Sequence, residues 1–191
     1  GLRRAYPGSP VLVAGRLRSQ ARAVLFEADA RECALLERAL AHCRRCRVAQ
    51  QDGYRALRSL LPPAERRCLV LIDPPYEDAA ADRERIVATL GDALARCATG
   101  LYLIWYPLKR AAEGVRWLRQ LTAVCDSARP HSRPWLASEL WVHPLDSPVA
   151  LNGSGLLLVN PPFQIEREWR AATAALAAAL ADVGGGWRLV P

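Results

Sequence analysis

The chain has 191 residues, 51% of them apolar and 24% charged, which is enough to bury one sizeable core and excludes a disordered chain. Its 26 Lys and Arg against 19 Asp and Glu give a net charge of +7, and Lys109 is the only lysine; an excess made of arginine suits a polyanion such as nucleic acid, with a plain coding bias toward Arg and Ala as the alternative. No run reaches the roughly 20 apolar residues of a membrane span, and Val11-Leu12-Val13-Ala14 is too short for the core of a secretory signal, so a cytoplasmic protein is expected.

Strand and helix signals alternate along the chain. Residues 21–27 read as a buried strand, after which Asp29 can cap a helix with Leu35, Leu36, Ala39 and Leu40 on one face. His42-Cys43-Arg44-Arg45-Cys46 follows. A Cys-x-x-Cys pair supplies half a zinc site or a redox couple, but zinc wants four ligands; Cys68, Cys97 and Cys125 are isolated, and His131 and His143 form no second pair. A helix end and turn is expected there, without a metal. The six cysteines, Cys33 included, fall in helix-like or strand-like runs of a chain large enough to fold without staples, which favours reduced thiols. Residues 47–51 form a short second strand, and 53–60 a helix that Leu61-Pro62-Pro63 ends. Cys68-Leu69-Val70-Leu71-Ile72 then makes a continuous apolar strand of the kind covered on both faces of a parallel sheet, and Asp73 terminates it.

Further along, residues 82–97 predict a helix with Ile86, Val87, Leu90 and Leu94 inward, followed by a strand over 101–105 that Tyr106-Pro107 stops. Residues 109–121 are helical, 135–142 strand-like, and 155–159 a buried strand just before Asn160-Pro161-Pro162. A last helix covers 166–181, ahead of a glycine turn at 184–186. The alternation predicts an α/β fold on an open, mostly parallel sheet, with ligands gathered at the carboxyl ends of the strands. The two late strands, joined without a long helix, predict an antiparallel hairpin at one edge. One domain over residues 1–191 is expected.

Asp73-Pro74-Pro75-Tyr76 directly follows the strongest strand, so a carboxylate, a proline-stiffened turn and an aromatic ring are presented together. Pro74 keeps a carbonyl acceptor while giving up its donor, and both prolines restrict the backbone. The Asp73 carboxylate and the Pro74 carbonyl can accept both protons of an exocyclic base amine and turn its lone pair toward an electrophile, with Tyr76 stacked on the base. An ordinary strand-end turn is the alternative; four such residues behind a buried strand favour the site.

This Asp73-Pro74-Pro75-Tyr76 segment resembles motif IV of the S-adenosylmethionine-dependent amino-group methyltransferases. Together with Tyr6-Pro7-Gly8-Ser9-Pro10, Phe26-Glu27, Asp52-Gly53, Trp105-Tyr106-Pro107 and Val159-Asn160-Pro161-Pro162, it is similar to the bacterial RlmJ family of 23S ribosomal RNA adenine-N6 methyltransferases along nearly the whole chain. The resemblance implies a Rossmann-like domain of the class I methyltransferase kind, S-adenosylmethionine as cofactor, and transfer of its methyl group to N6 of an adenine in 23S ribosomal RNA. It implies Asp73 as the catalytic residue, with Pro74 and Tyr76 beside it, and Ser9, Glu27, Asp52 and Gly53 as contacts to the donor. From the residues alone, Glu27 ends a strand where an acid can accept from ribose hydroxyls, whereas Asp52-Gly53 is equally a helix-capping turn and Ser9 equally a turn residue.

The family pattern also carries, ahead of the Tyr-Pro-Gly-Ser-Pro stretch, a first strand ending in an acidic, glycine-rich loop that this sequence does not have before Glu27. The first strand and the amino-terminal third of the pattern are therefore expected to be missing, with neighbouring strands left unpaired. Asn152-Gly153-Ser154-Gly155 precedes a strand and is expected to face the wrong edge; Asn160-Pro161-Pro162-Phe163 follows the last strand and is expected to be peripheral. A flipped, single-stranded or looped adenine is the easiest target. Arg44, Arg45, Arg47, Arg66, Arg67, Arg83 and Arg85 are candidates for phosphate, and Trp105, Tyr106 and Trp135 for base stacking or packing. A monomer is expected. The other readings are an amino methyltransferase or external-DNA-utilisation protein acting on DNA, and a non-catalytic nucleic-acid-binding remnant.

Overall fold

The computed structural model describes residues 7–128, 130–149 and 151–190. The chain divides into two compact units, Gly1–Leu60 and Leu61–Pro191.

The first unit holds α1 (Ser9–Ala14), β1 (Ala23–Glu27), α2 (Ala30–Leu40), β2 (Cys46–Gln50) and α3 (Gly53–Leu60). Strands β1 and β2 pair in parallel, from Ala23 opposite Cys46 to Glu27 opposite Gln50. Asp29 caps α2 as its position in the sequence suggests, its carboxylate accepting from the Arg31 and Glu32 amides. The helix turns Cys33, Leu36 and Leu40 inward at i, i+3 and i+7, and leaves Leu35 and Ala39 exposed. The expected face was thus rotated, because four apolar neighbours do not say which of two overlapping stripes meets the sheet. Helix α1 was not foreseen: Pro10 sits in its first turn, where a missing N–H costs nothing, and the Gly8 carbonyl accepts from Val11 and Leu12.

The second unit holds β3 (Leu69–Ile72), α4 (Ala79–Arg96), β4 (Leu101–Leu108), α5 (Ala111–Ser127), β5 (Trp135–Trp141), β6 (Gly153–Val159), α6 (Ile165–Leu180) and β7 (Gly186–Val190). Its sheet has the order β3-β4-β6-β5-β7. Only β3 and β4 run parallel there; β4 with β6, β6 with β5 and β5 with β7 are antiparallel. The α/β class stands, but the five-stranded sheet is mixed rather than mostly parallel. The antiparallel pair does not cap an edge either: β6 inserts between β4 and β5, and the unforeseen β7 takes the edge. Helix α4 starts earlier than expected because Asp78 caps it, accepting from Ala80 and Ala81. Helix α5 continues past residue 121 because Gly114, Trp117, Leu121 and Cys125 extend one buried stripe.

Strand β4 is the spine of this unit. Tyr102, Ile104, Tyr106 and Leu108 alternate onto one face and are essentially inaccessible, as are Ile86 and Leu90 of α4, Trp117 and Leu121 of α5, and Leu157 of β6. Pro107 was expected to stop the strand, yet β4 runs through it. The reason is that β3 ends opposite Ile104, so from Trp105 onward β4 has β6 alone as a neighbour, and a proline is tolerated at an edge. Strand β3 is not covered on both faces as its composition suggested: Leu69 is 63% and Leu71 39% exposed.

Several buried polar side chains inside the second unit are held by hydrogen bonds, although Asn152 Oδ1 has no partner among the described residues. Glu139 on β5 accepts from the Tyr106 hydroxyl at 2.9 Å and from Arg188 Nε at 2.5 Å. Asn152 is fully buried, and its Nδ2 reaches the carbonyls of Lys109, Leu145 and Ser147. Gly155 is required by close approach, since an added Cβ would stand 2.1 Å from the Tyr106 ring. Asn160, in the left-handed region at φ 56°, donates from Nδ2 to the Ala98 and Gly100 carbonyls at 2.9 and 2.7 Å, pinning the exit of β6 to the turn before β4. Among the described residues, no helix is long and apolar enough to cross a membrane. Replacing Asn160 with Ala strands both carbonyls, and denaturant unfolding is expected to show a loss of about 1–3 kcal/mol.

Candidate functional site

In the second unit, the Asp73 turn leaves the sheet where β3 stops and β4 continues. Asp73 follows Ile72, whose partner is Ile104, so the turn runs beside Trp105 and the last residues of β4. Tyr76 anchors it: the hydroxyl donates to the Trp105 carbonyl, and the backbone is left-handed at φ 57°. The Tyr76 ring is 8% exposed. It lies 5.2 Å from the Trp105 ring and meets Trp117 edge-on at 5.6 Å. The guanidinium of Arg83 caps this cluster, 5.5 Å above the Trp117 ring. Tyr76 is therefore held by packing rather than displayed as a platform, and stacking a base on it requires the hydroxyl to release Trp105.

Asp73 itself is exposed and Pro74 half-buried. Among the described residues, the Asp73 carboxylate accepts no hydrogen bond and pairs with no cation, and partial desolvation raises its carboxyl above the ordinary carboxylate range. An accessible, unsatisfied carboxylate on a proline-stiffened turn is chemically suited to accept a proton-bearing nitrogen.

In the first unit, the register of the two parallel strands brings Glu27 and Asp52-Gly53 to one edge. Glu27 ends β1 opposite Gln50, and the Gln51 amide donates to the Glu27 carbonyl at 3.0 Å. One Glu27 carboxylate oxygen accepts from the Asp29 amide at 2.9 Å; the other accepts nothing among the described residues. Asp52 caps α3, its Oδ1 accepting from Tyr54 at 2.9 Å and Arg55 at 3.2 Å. Gly53 is not demanded by packing, because an added Cβ would only touch Phe26 Cβ at 3.5 Å. Ser9 opens α1, half-buried, while Tyr6 of the same stretch lies outside the described residues. This unit also carries a groove of about 510 Å³ in which Phe26, Ala49 and Leu60 share the lining with Arg44, Arg45 and Arg47.

Other sequence candidates fall away from the Asp73 edge. Val159 pairs with Tyr102 near the start of β4, so Asn160-Pro161-Pro162-Phe163 lies at the opposite end of the sheet, where Asn160 has a structural task. Trp135 shares that far end, opposite Val159. Arg66 and Arg67 precede β3 at its amino end. Gly153, by contrast, pairs with Leu108, so Asn152-Gly153-Ser154-Gly155 begins at the carboxyl end of β4, not at the wrong edge as its order suggested. Its residues serve packing: an added Cβ on Gly153 would stand 2.1 Å from the Leu140 carbonyl. Tyr106 is core, stacked 6.0 Å from Trp117. The contribution of Trp117 and Arg83 to the Tyr76 cluster was not legible, since residues 76, 83 and 117 meet only in three dimensions.

The family model described as "Ribosomal RNA large subunit methyltransferase D, RlmJ" matches residues 1–190. The chain is 33% identical over 186 residues to the Escherichia coli K12 protein named "Ribosomal RNA large subunit methyltransferase J", covering 97% of this chain and 64% of that relative. It is 34% identical over 185 residues to the Haemophilus influenzae protein of the same name, covering 96% and 63%. The chain thus spans less than two thirds of the length of these relatives. A crystal structure of a Legionella pneumophila protein superimposes with a TM-score of 0.85 at 29% identity, over 97% of this chain and 66% of that one. The match over almost every residue, with the Asp73 turn at the tip of a parallel strand, places the chain in the RlmJ family of ribosomal RNA large subunit methyltransferases.

Proposed function

We propose that the protein transfers a methyl group from S-adenosylmethionine to N6 of an adenine in 23S ribosomal RNA, with Asp73 as the catalytic residue. The observation that carries this reading is the exposed Asp73 carboxylate, unpaired among the described residues, at the end of β3 in a chain of this family. Asp73 and the Pro74 carbonyl accept the two hydrogens of the adenine amine. Holding both draws the nitrogen out of conjugation with the ring and orients its lone pair, a gain made by positioning and directed charge. The Asp73 carboxylate then takes the proton that the amine gives up. Tyr76, fixed on Trp105, holds the turn in the shape this needs and is the aromatic surface available to the base once released.

Glu27, Asp52, Gly53 and Ser9 are the residues that would hold the donor. The fit rests on the Glu27 oxygen at a strand end that accepts nothing among the described residues, suited to ribose hydroxyls, and on Gly53, a residue that packing leaves free to be something larger. When bound, S-adenosylmethionine supplies an electrophilic methyl group on a sulfonium. The arginines of the first-unit groove are suited to RNA phosphates, and a single-stranded or looped adenine is the favoured target, because extruding it costs least.

Asp73→Ala is expected to cut methyl transfer to large-subunit ribosomal RNA by about 100-fold or more, with an unchanged circular dichroism spectrum because the side chain is exposed; full activity in this variant, or equal transfer to matched DNA, overturns the assignment. Since the ionised carboxylate is the acceptor and its pKa is raised, kcat/KM is expected to fall with decreasing pH along a limb that lies above the ordinary Asp value of about 3.9. Replacing Arg44 and Arg47 with Ala is expected to weaken binding of single-stranded RNA and to flatten the slope of log K against log salt by about 0.7 for each phosphate contact removed; Arg116→Ala with Arg119→Ala, on the exposed side of α5, is the control.

A further inference from the structure

The Cys-x-x-Cys segment is the motif that the proposed chemistry does not use, and its geometry is specific. Helix α2 ends at Leu40, whose carbonyl accepts from the Cys43 amide at 2.8 Å, and the Cys43 carbonyl in turn accepts from the Cys46 amide at 2.9 Å. Arg44 and Arg45 thus form the middle of a tight turn with a cysteine at each end. Cys46 is held on its far side as the first residue of β2, paired with Ala23, and the Ala23 amide bonds to the Arg45 carbonyl at 2.9 Å. Helix end and strand start together fix both side chains, and Cys46 Sγ donates to Cys43 Sγ at 2.6 Å. Both residues are half-exposed.

We propose that Cys43 and Cys46 are a vicinal dithiol that small-molecule disulfides convert reversibly into an intramolecular disulfide. The Cys43 thiolate attacks a sulfur of oxidised glutathione, forming a mixed disulfide and releasing one glutathione thiolate. Cys46, having lost its proton to solvent, attacks the Cys43 sulfur and releases the second glutathione; the protein loses two hydrogens and one glutathione disulfide is reduced to two thiols. The polarity of the pair supports this order. The hydrogen bond from Cys46, the two turn amides and the Arg45 charge hold the Cys43 thiol below its usual range, whereas burial and the neighbouring sulfur push Cys46 up to about 11. A low-pKa attacking thiol beside a resolving thiol is the arrangement that thiol–disulfide exchange needs.

The remaining cysteines differ in kind. Cys33 and Cys125 are buried. Cys68 and Cys97 stand 3.9 Å apart, but Cys97 is buried and desolvation pushes Cys68 up to about 11. Among the described residues, no third His, Cys, Asp or Glu joins the Cys43–Cys46 pair in a metal-binding group, so oxidation rather than metal capture is the chemistry assigned.

The sequence provides a clean assay, because trypsin cuts after Arg44 and Arg45, between the two cysteines. The reduced chain is equilibrated with mixtures of reduced and oxidised glutathione, blocked with iodoacetamide, and digested without reductant. The expected product is residues 39–44 joined to residues 46–47 through one disulfide, released by dithiothreitol, with Cys33 and Cys125 recovered as thiols. Cys46→Ser is expected to trap Cys43 as a stable glutathione adduct, and Cys43→Ser to leave Cys46 largely unmodified at neutral pH. Free alkylation of both Cys43 and Cys46 across the whole range of glutathione mixtures overturns the proposal, as does oxidation confined to Cys68 and Cys97. The digest of the unsubstituted chain decides the question even if a serine variant fails to fold.

Discussion

The second unit is organised by a mismatch in strand length. Strand β3 ends opposite Ile104 while β4 continues to Leu108, so the backbone of β4 outruns its parallel neighbour. A carbonyl in that overhang needs a partner, and the Tyr76 hydroxyl supplies one to Trp105. That single bond sets the span of the Asp73-Pro74-Pro75-Tyr76 turn: one end is the strand tip, the other a tyrosine bound to the next strand. The same overhang explains how Pro107 sits within a strand, and why Asp73 emerges beside a sheet instead of into a loop.

Around the overhang, the buried polar groups hold the antiparallel part of the sheet in register. Tyr106 bonds to Glu139, and Glu139 to Arg188, which links β4, β5 and β7 across the intervening β6. Gly155 on β6 leaves room for the Tyr106 ring that passes over it. Tyr106 also stacks on Trp117, and Trp117 meets Tyr76. The aromatic cluster behind the candidate site is thus continuous with the core, so a shift of the Tyr76 anchor is resisted by packing as well as by a hydrogen bond.

The two units carry chemically different sets of groups. The first displays an acidic strand end, a helix-capping aspartate and an arginine-lined groove; the second displays one exposed carboxylate on a stiff turn. The Cys43 and Cys46 sulfurs are placed by the end of α2 and the start of β2, while Arg44 and Arg45 between them line the groove.

The order of elements from β1 to α6, the cap at Asp29, the bounds of α3 and the Asp73 turn behind an apolar strand were all legible in the sequence, because each depends on contacts within a few residues: periodicity, a capping carboxylate, a pair of prolines. What tertiary structure alone decided was everything set by neighbours distant along the chain. It chose which stripe of α2 faces inward, carried β4 through Pro107, placed β6 between β4 and β5, and added β7. It assigned Asn160 to structure and brought Gly153 to the carboxyl end of β4, since an antiparallel register reverses which end of a strand meets which edge. It also buried the ring of Tyr76 and brought two sulfurs into contact. Local sequence specifies a turn and its chemistry; only the assembled sheet specifies what that turn stands beside.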